Sequence, residues 1–167
     1  EGWHPWLCKL SPPHPRFSPA VSALNYADLV DGVVAILRAD TRLEDVAHIS
    51  SEPDDPLEGQ CPAVLVSLSG FTRQPMHLVG VTSAAAPYQE TVRLELACWA
   101  FAAESAGDAR KRLQEVVTLV LGVCVDNFTL GGRVSGTNVL RGDFQTRRGE
   151  GGIFARAVLG LDCLALT

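Results

Sequence analysis

The stretch Glu90-Thr-Val-Arg-Leu-Glu-Leu-Ala-Cys-Trp-Ala-Phe-Ala102 decides how this chain is read. Val92, Leu94, Leu96, Cys98 and Ala100 fall on one side of a period-two pattern, and Arg93, Glu95 and Trp99 fall on the other. Successive side chains of a strand point to opposite faces, so this alternation predicts a central strand with one face in a core. Trp99 stands on the other face, where it is either covered by a helix or part of an interface. Covering by a helix is the expectation.

Upstream, Pro62-Ala-Val-Leu-Val-Ser-Leu-Ser-Gly70 is a short apolar run ended by glycine, which predicts a second strand. Asn25 is a good helix N-cap, and Tyr26, Val30, Val33, Val34 and Leu37 follow 3.6-residue spacing. A first amphipathic helix is therefore expected to run to about Ala39. Residues 40–62 are polar and turn-rich and predict a loop, with Asp54, Asp55 and Glu58 clustered beside Pro53 and Pro56. Between Phe71 and Gln89 the pattern weakens, which fits a projecting hairpin or a long loop.

Downstream, Gly107-Asp108 opens a second helix whose buried stripe is Ala109, Leu113, Val116, Val117 and Val120. Gly131-Gly132 is a turn. Two strands follow, at about 133–146 and 153–166, joined at a glycine-rich hairpin tip running from Arg147 to Gly152.

The whole chain has 167 residues, enough for one domain. Its net charge of −5 and pI near 5.3 oppose a surface that grips DNA through phosphates. No apolar run approaches the roughly 18 residues a membrane helix needs. The longest, Val116 to Val125, contains Thr118 and Gly122. Five cysteines, none in a CxxC pair, give no metal or redox signature. Cys98, Cys124 and Cys163 sit in apolar runs and are expected to be reduced core thiols. Residues 1–21 are expected to form a Pro-rich extended arm, on which Trp3 and Trp6 could dock on a neighbouring subunit or on their own domain. Residues 22–167 form the single domain.

No nucleophile elbow, phosphate-binding loop or zinc-binding helix motif is present, so no catalytic, cofactor or metal residues are assigned and no enzyme is expected. Arg147 and Arg148 at the hairpin tip, with Arg133, Arg141 and Arg156 nearby in sequence, form the one basic concentration. Two readings stand: solvated strand edges that discourage aggregation, or contact with an acidic partner or with a neighbouring subunit's Asp54, Asp55 and Glu58.

The element order, with Leu94-Glu95-Leu96-Ala97-Cys98-Trp99 in its long strand and a closing hairpin running from Arg141-Gly-Asp-Phe-Gln-Thr-Arg-Arg-Gly149 to Ile153-Phe-Ala-Arg-Ala-Val-Leu-Gly-Leu-Asp162, resembles the tail-terminator proteins of long-tailed, lambda-like phages and related prophages. The resemblance covers roughly residues 22–167. It implies an α+β domain, with two helices packed on a mostly antiparallel sheet of four strands or slightly more, in the order α-β-β-α-β-β. It also implies a homohexameric ring, in the virion tail or neck and in host cytoplasm during assembly, that caps the tail tube and stops its growth. The ring's partners would be the tail tube protein and the head-completion protein, with DNA passing through the lumen without specific binding. No cofactor and no membrane are involved. On that reading Arg141, Arg147, Arg148, Trp3 and Trp6 are candidate interface residues, and Asp54, Asp55 and Glu58 a candidate lumen or interface loop. The alternatives are a head-completion or connector protein of the neck and, from another class, a soluble small-molecule-binding domain or enzyme.

Overall fold

A computed structural model describes residues 24–52, 54–76, 88–149 and 151–166, apart from the side chains of Leu140, Arg141 and Leu166. The arm at 1–21, with Trp3 and Trp6, lies outside the described residues, as do residues 77–87.

Two helices form where periodicity and caps coincide. The first, α1 (Tyr26–Ala39), starts at Asn25, whose side chain accepts the backbone N–H groups of Ala27 and Asp28 at 3.1 and 3.5 Å. Such a cap satisfies donors that have no partner inside the helix. Leu29, Val30, Val33, Val34 and Leu37 form its buried stripe. The second, α2 (Ala106–Asp126), starts at Ser105, whose hydroxyl accepts the Asp108 N–H at 3.3 Å. Its buried stripe holds every residue expected and continues to Val123 and Cys124. Among the described residues, no helix is long and apolar enough to cross a membrane.

The five strands are β1 (His48–Ser50), β2 (Ala63–Pro75), β3 (Tyr88–Ala102), β4 (Gly136–Arg148) and β5 (Ile153–Leu166). They form one sheet in the order β1-β2-β3-β5-β4, antiparallel throughout except for the parallel pair β1–β2. The α+β class and the mostly antiparallel sheet agree with the sequence reading. The element order does not: β1 adds a strand between α1 and β2, inside the stretch expected to be a loop. Three residues are too few to show an alternation, and β1 exists only because β2 lies beside it, with Ile49 opposite Val64. Residues 41–43 and 58–60 further break that stretch into short 3-10 turns.

Both helices cover one face of the sheet. Val64 and Val66 of β2, Val92, Leu94, Leu96 and Cys98 of β3, and Ala157, Leu159, Leu161 and Cys163 of β5 are buried beneath them. Fully burying one such leucine is worth about 1.5–3 kcal/mol, so this face holds the domain together. Trp99 is 4% exposed, yet no helix among the described residues covers it. It lies on the opposite face in a second, smaller cluster with Ala63, Leu65 and Ala97, closed by Cys61, Phe154 and Val158. The expectation of a covering helix is corrected: strand neighbours and the chain leading into β2 bury the ring.

Register in the β2–β3 ladder shifts between Leu68 and Gly70. A one-residue slip moves every following side chain to the other face. Phe71 therefore faces the helices opposite Val92, and stacks on Tyr26 of α1 with ring centres 5.3 Å apart.

Candidate subunit and partner interface

The β4–β5 hairpin closes where the sequence places it, with Arg148 opposite Ile153 and the Gly149 N–H donating to the Gly152 carbonyl at 2.8 Å. Gly152 has φ 155°, and a Cβ there would meet the Ala102 carbonyl oxygen at 2.7 Å and the Phe101 ring at 2.8 Å. Only glycine permits the tip to fold back so closely on the end of β3.

The acidic loop does not stand apart from this tip. Asp55 lies 3.8 Å from the Arg147 guanidinium, and the Glu58 carboxylate presses so close to Gly151 that a Cβ there would sit 2.2 Å from its oxygen. Two groups of candidates read separately in the sequence are thus neighbours within one chain. Asp54, Asp55, Glu58, Arg147 and Arg148 are all exposed. Arg147 and Arg148 point to opposite faces of β4, because neighbouring strand residues alternate.

The wider basic concentration separates. Arg133 donates to the Leu130 carbonyl at 3.0 Å and lies against Gly32 of α1. Arg156 lies over the Trp99 ring, 5.2 Å from its centre. The Nε atom of Arg156 and the indole Nε1 of Trp99 are both buried without a hydrogen-bond partner among the described residues. Arg93 is held by two hydrogen bonds to Asp162, at 2.7 and 3.0 Å, and these raise its pKa.

Three features were not singled out from the sequence. Glu90 is fully buried, and one of its oxygens accepts from the Tyr26 hydroxyl and from Arg73 Nη2 at 3.4 Å. The bond to Glu90 raises the Tyr26 pKa. The signal was present, since Glu90 shares the core-facing parity of Val92. Phe144 is 58% exposed on β4, beside an open cleft of about 270 Å³ that it lines with Arg110, Leu113, Gln114, Gln145 and Thr146. At the end of α2, Val125 and Phe128 are exposed as well.

The four cysteine thiols among the described residues are poor nucleophiles. Burial pushes Cys98 and Cys163 up to about 12, and Cys61 and Cys124 up to about 11. The thiolate is the reactive form, so these groups stay protonated at neutral pH. Among the described residues, no group of three or more His, Cys, Asp and Glu side chains could hold a metal ion.

The architecture defines a class: an α+β domain with two helices on one face of a five-stranded, mostly antiparallel sheet. A chain in the virion of a native gene transfer agent particle shares this fold, with a TM-score of 0.54 and 19% sequence identity. The match covers 87% of this chain and 99% of that one. No family model and no curated protein matches the sequence.

Proposed function

We propose that this chain is a structural subunit of a phage-like particle and, within it, a tail terminator. The observation that carries this is the shared fold, which spans nearly the whole of a chain from a gene transfer agent virion. The long strand with Leu94 to Trp99 and the closing hairpin, which resemble tail terminators, narrow the reading to that role. Copies form a ring, hexameric as the resemblance implies, that caps the tail tube, stops its polymerisation and joins it to the head-completion proteins. The mechanism is complementarity of surfaces, with no catalytic step. A heterologous contact repeated around a closed ring fixes the subunit number. DNA crosses the lumen unbound, helped by the chain's acidic balance, because like charge keeps phosphates from sticking. The protein then resides in the virion tail or neck, after assembly in the host cytoplasm.

The test is electron microscopy of particles from a producing strain that lacks this chain. Tails of uncontrolled length support a terminator. Tails of normal length detached from filled heads would instead assign a head-completion role in the neck. Unaltered particles would remove the chain from the particle altogether.

A further inference from the structure

The two edges of the sheet differ in length and in the charged side chains around them. At one edge β1 is three residues long, and the Ile49 carbonyl accepts Arg38 Nε at 2.8 Å, so that edge is short and partly capped. Around it, α1 and the turn into β1 expose Asp28, Asp31, Glu44 and Asp45, which make no ion pair among the described residues. From residue 24 to residue 45 the chain carries five acidic side chains against two basic ones, Arg38 and Arg42. Arg42 is already engaged by Asp40 and Asp126, both at 2.7 Å.

At the other edge β4 is thirteen residues long and, among the described residues, pairs only with β5. Residues 142–148 are all exposed, among them Phe144, Arg147 and Arg148. Arg110 of α2 lines the cleft beside Phe144. Five strands separate the two edges by about 19 Å, from the spacing of neighbouring strands. That distance exceeds a Debye length at physiological salt, so Arg110 and Arg148 are not neutralised by Asp28 and Asp31 of their own chain.

We propose that the β4 side of one copy docks on the acidic α1–β1 side of the next copy, in a head-to-tail contact with Phe144 near its centre. Arg110 and Arg148 meet Asp28 and Asp31, and Phe144 lies along the exposed flank of α1, where Ala27 and Ala35 on either side of Asp31 are small. Two Asp28–Asp31 surfaces repel each other, as do two Arg110–Arg148 surfaces, so like-with-like pairing is disfavoured. A heterologous contact of this kind closes into a ring when its rotation permits. The inference deepens the ring reading above, and rests on it for the identity of the partner as a second copy.

The test uses the full chain in sedimentation velocity, at low and high salt. The basic-side variant is Arg110→Glu with Arg148→Glu, and the acidic-side variant is Asp28→Lys with Asp31→Lys. All four side chains are exposed, and circular dichroism checks each fold. Should lysine at the start of α1 unfold the helix, Asp28→Asn with Asp31→Asn replaces that variant. Wild-type chain is expected to assemble at low salt and to dissociate as salt rises. Each charge-reversed variant alone should self-associate at least about tenfold more weakly. An equimolar mixture of the two should assemble again, because each then meets its complement. A wild-type chain that stays monomeric at low salt would overturn the proposal, as would variants that assemble like wild type or a mixture that does not recover. A wild-type ring indifferent to these reversals sinks the contact and leaves the terminator reading standing. Unaltered particles in the deletion strain sink the terminator reading and leave the contact to the sedimentation data.

Discussion

Arg156 and Trp99 face each other across the β3–β5 ladder, and the guanidinium carbon stands 5.2 Å from the centre of the indole ring. Phe154 meets the same ring edge-on, with centres 6.4 Å apart. These contacts seal the sheet face that the helices leave uncovered. Trp99→Ala is expected to cost about 3–5 kcal/mol, the range for removing a large buried aromatic. Arg156→Ala should cost about 0.5–2 kcal/mol, the worth of a partly desolvated cation–π contact. Urea unfolding followed by far-ultraviolet circular dichroism measures both. Equal losses would mean that the arginine contributes more than its position over the ring.

Gly152→Ala tests the hairpin tip. The substitution places a Cβ 2.7 Å from the Ala102 carbonyl oxygen in a backbone region that favours glycine. A destabilisation of about 1–3 kcal/mol is expected from the strain, with the α1 end of the domain unaffected. Hydrogen exchange should show faster opening confined to the β4–β5 hairpin and the end of β3. No change in exchange there would mean that the tip relaxes without strain.

Glu90 ties α1 to the β2–β3 ladder through Tyr26 and Arg73. Tyr26→Phe removes one partner of a fully buried carboxylate and should cost about 1–3 kcal/mol. Double replacement of Glu90 and Arg73 by apolar residues should cost less than the sum of the single replacements, because neither leaves the other unpaired. A spectroscopic titration of Tyr26 in the wild-type chain should find its hydroxyl ionising above 10.0, the ordinary value, and returning toward it in Glu90→Gln.

Charge reversal at the hairpin tip, Arg147→Glu with Arg148→Glu, should leave the monomer folded, because both side chains are exposed and the Arg147–Asp55 pair at 3.8 Å is solvated. Assembly or docking should weaken. Sedimentation and tube-capping assays check this, and unchanged assembly would take those arginines out of the interface.

The buried thiols predict an alkaline limit. Cys98 and Cys163 ionise near 12 in the folded chain and near 9.0 in a free cysteine. Unfolded chain therefore gives up protons that folded chain retains. The contribution to stability is complete below pH 9 and is lost as pH rises toward 12. Urea midpoints at pH 7, 9 and 10.5 should fall only above 9. At neutral pH an alkylating reagent should reach half-buried Cys61 before Cys98, Cys124 or Cys163.

The sequence by itself determined the elements whose signals are local. The alternation from Val92 to Ala100, the Asn25 cap, the stripe from Ala109 to Val120 and the glycines of the β4–β5 tip each act through residues close along the chain. Glu90 was legible too, by its parity with Val92. Other features depend on which segments become neighbours, and only the tertiary structure decided them. β1 is a strand because β2 lies beside it, and Trp99 is buried because β5 brings Phe154 and Arg156 to its face. Asp55 meets Arg147 across about ninety residues of chain, a proximity that composition and spacing do not encode. The distance of Arg148 from Asp28 and Asp31 likewise follows from strand order, since β4 reaches the far side of the sheet only by pairing beyond β5. Local backbone preferences act over a few residues, whereas these juxtapositions are set by packing and ladder register, which one chain segment cannot specify without its neighbour.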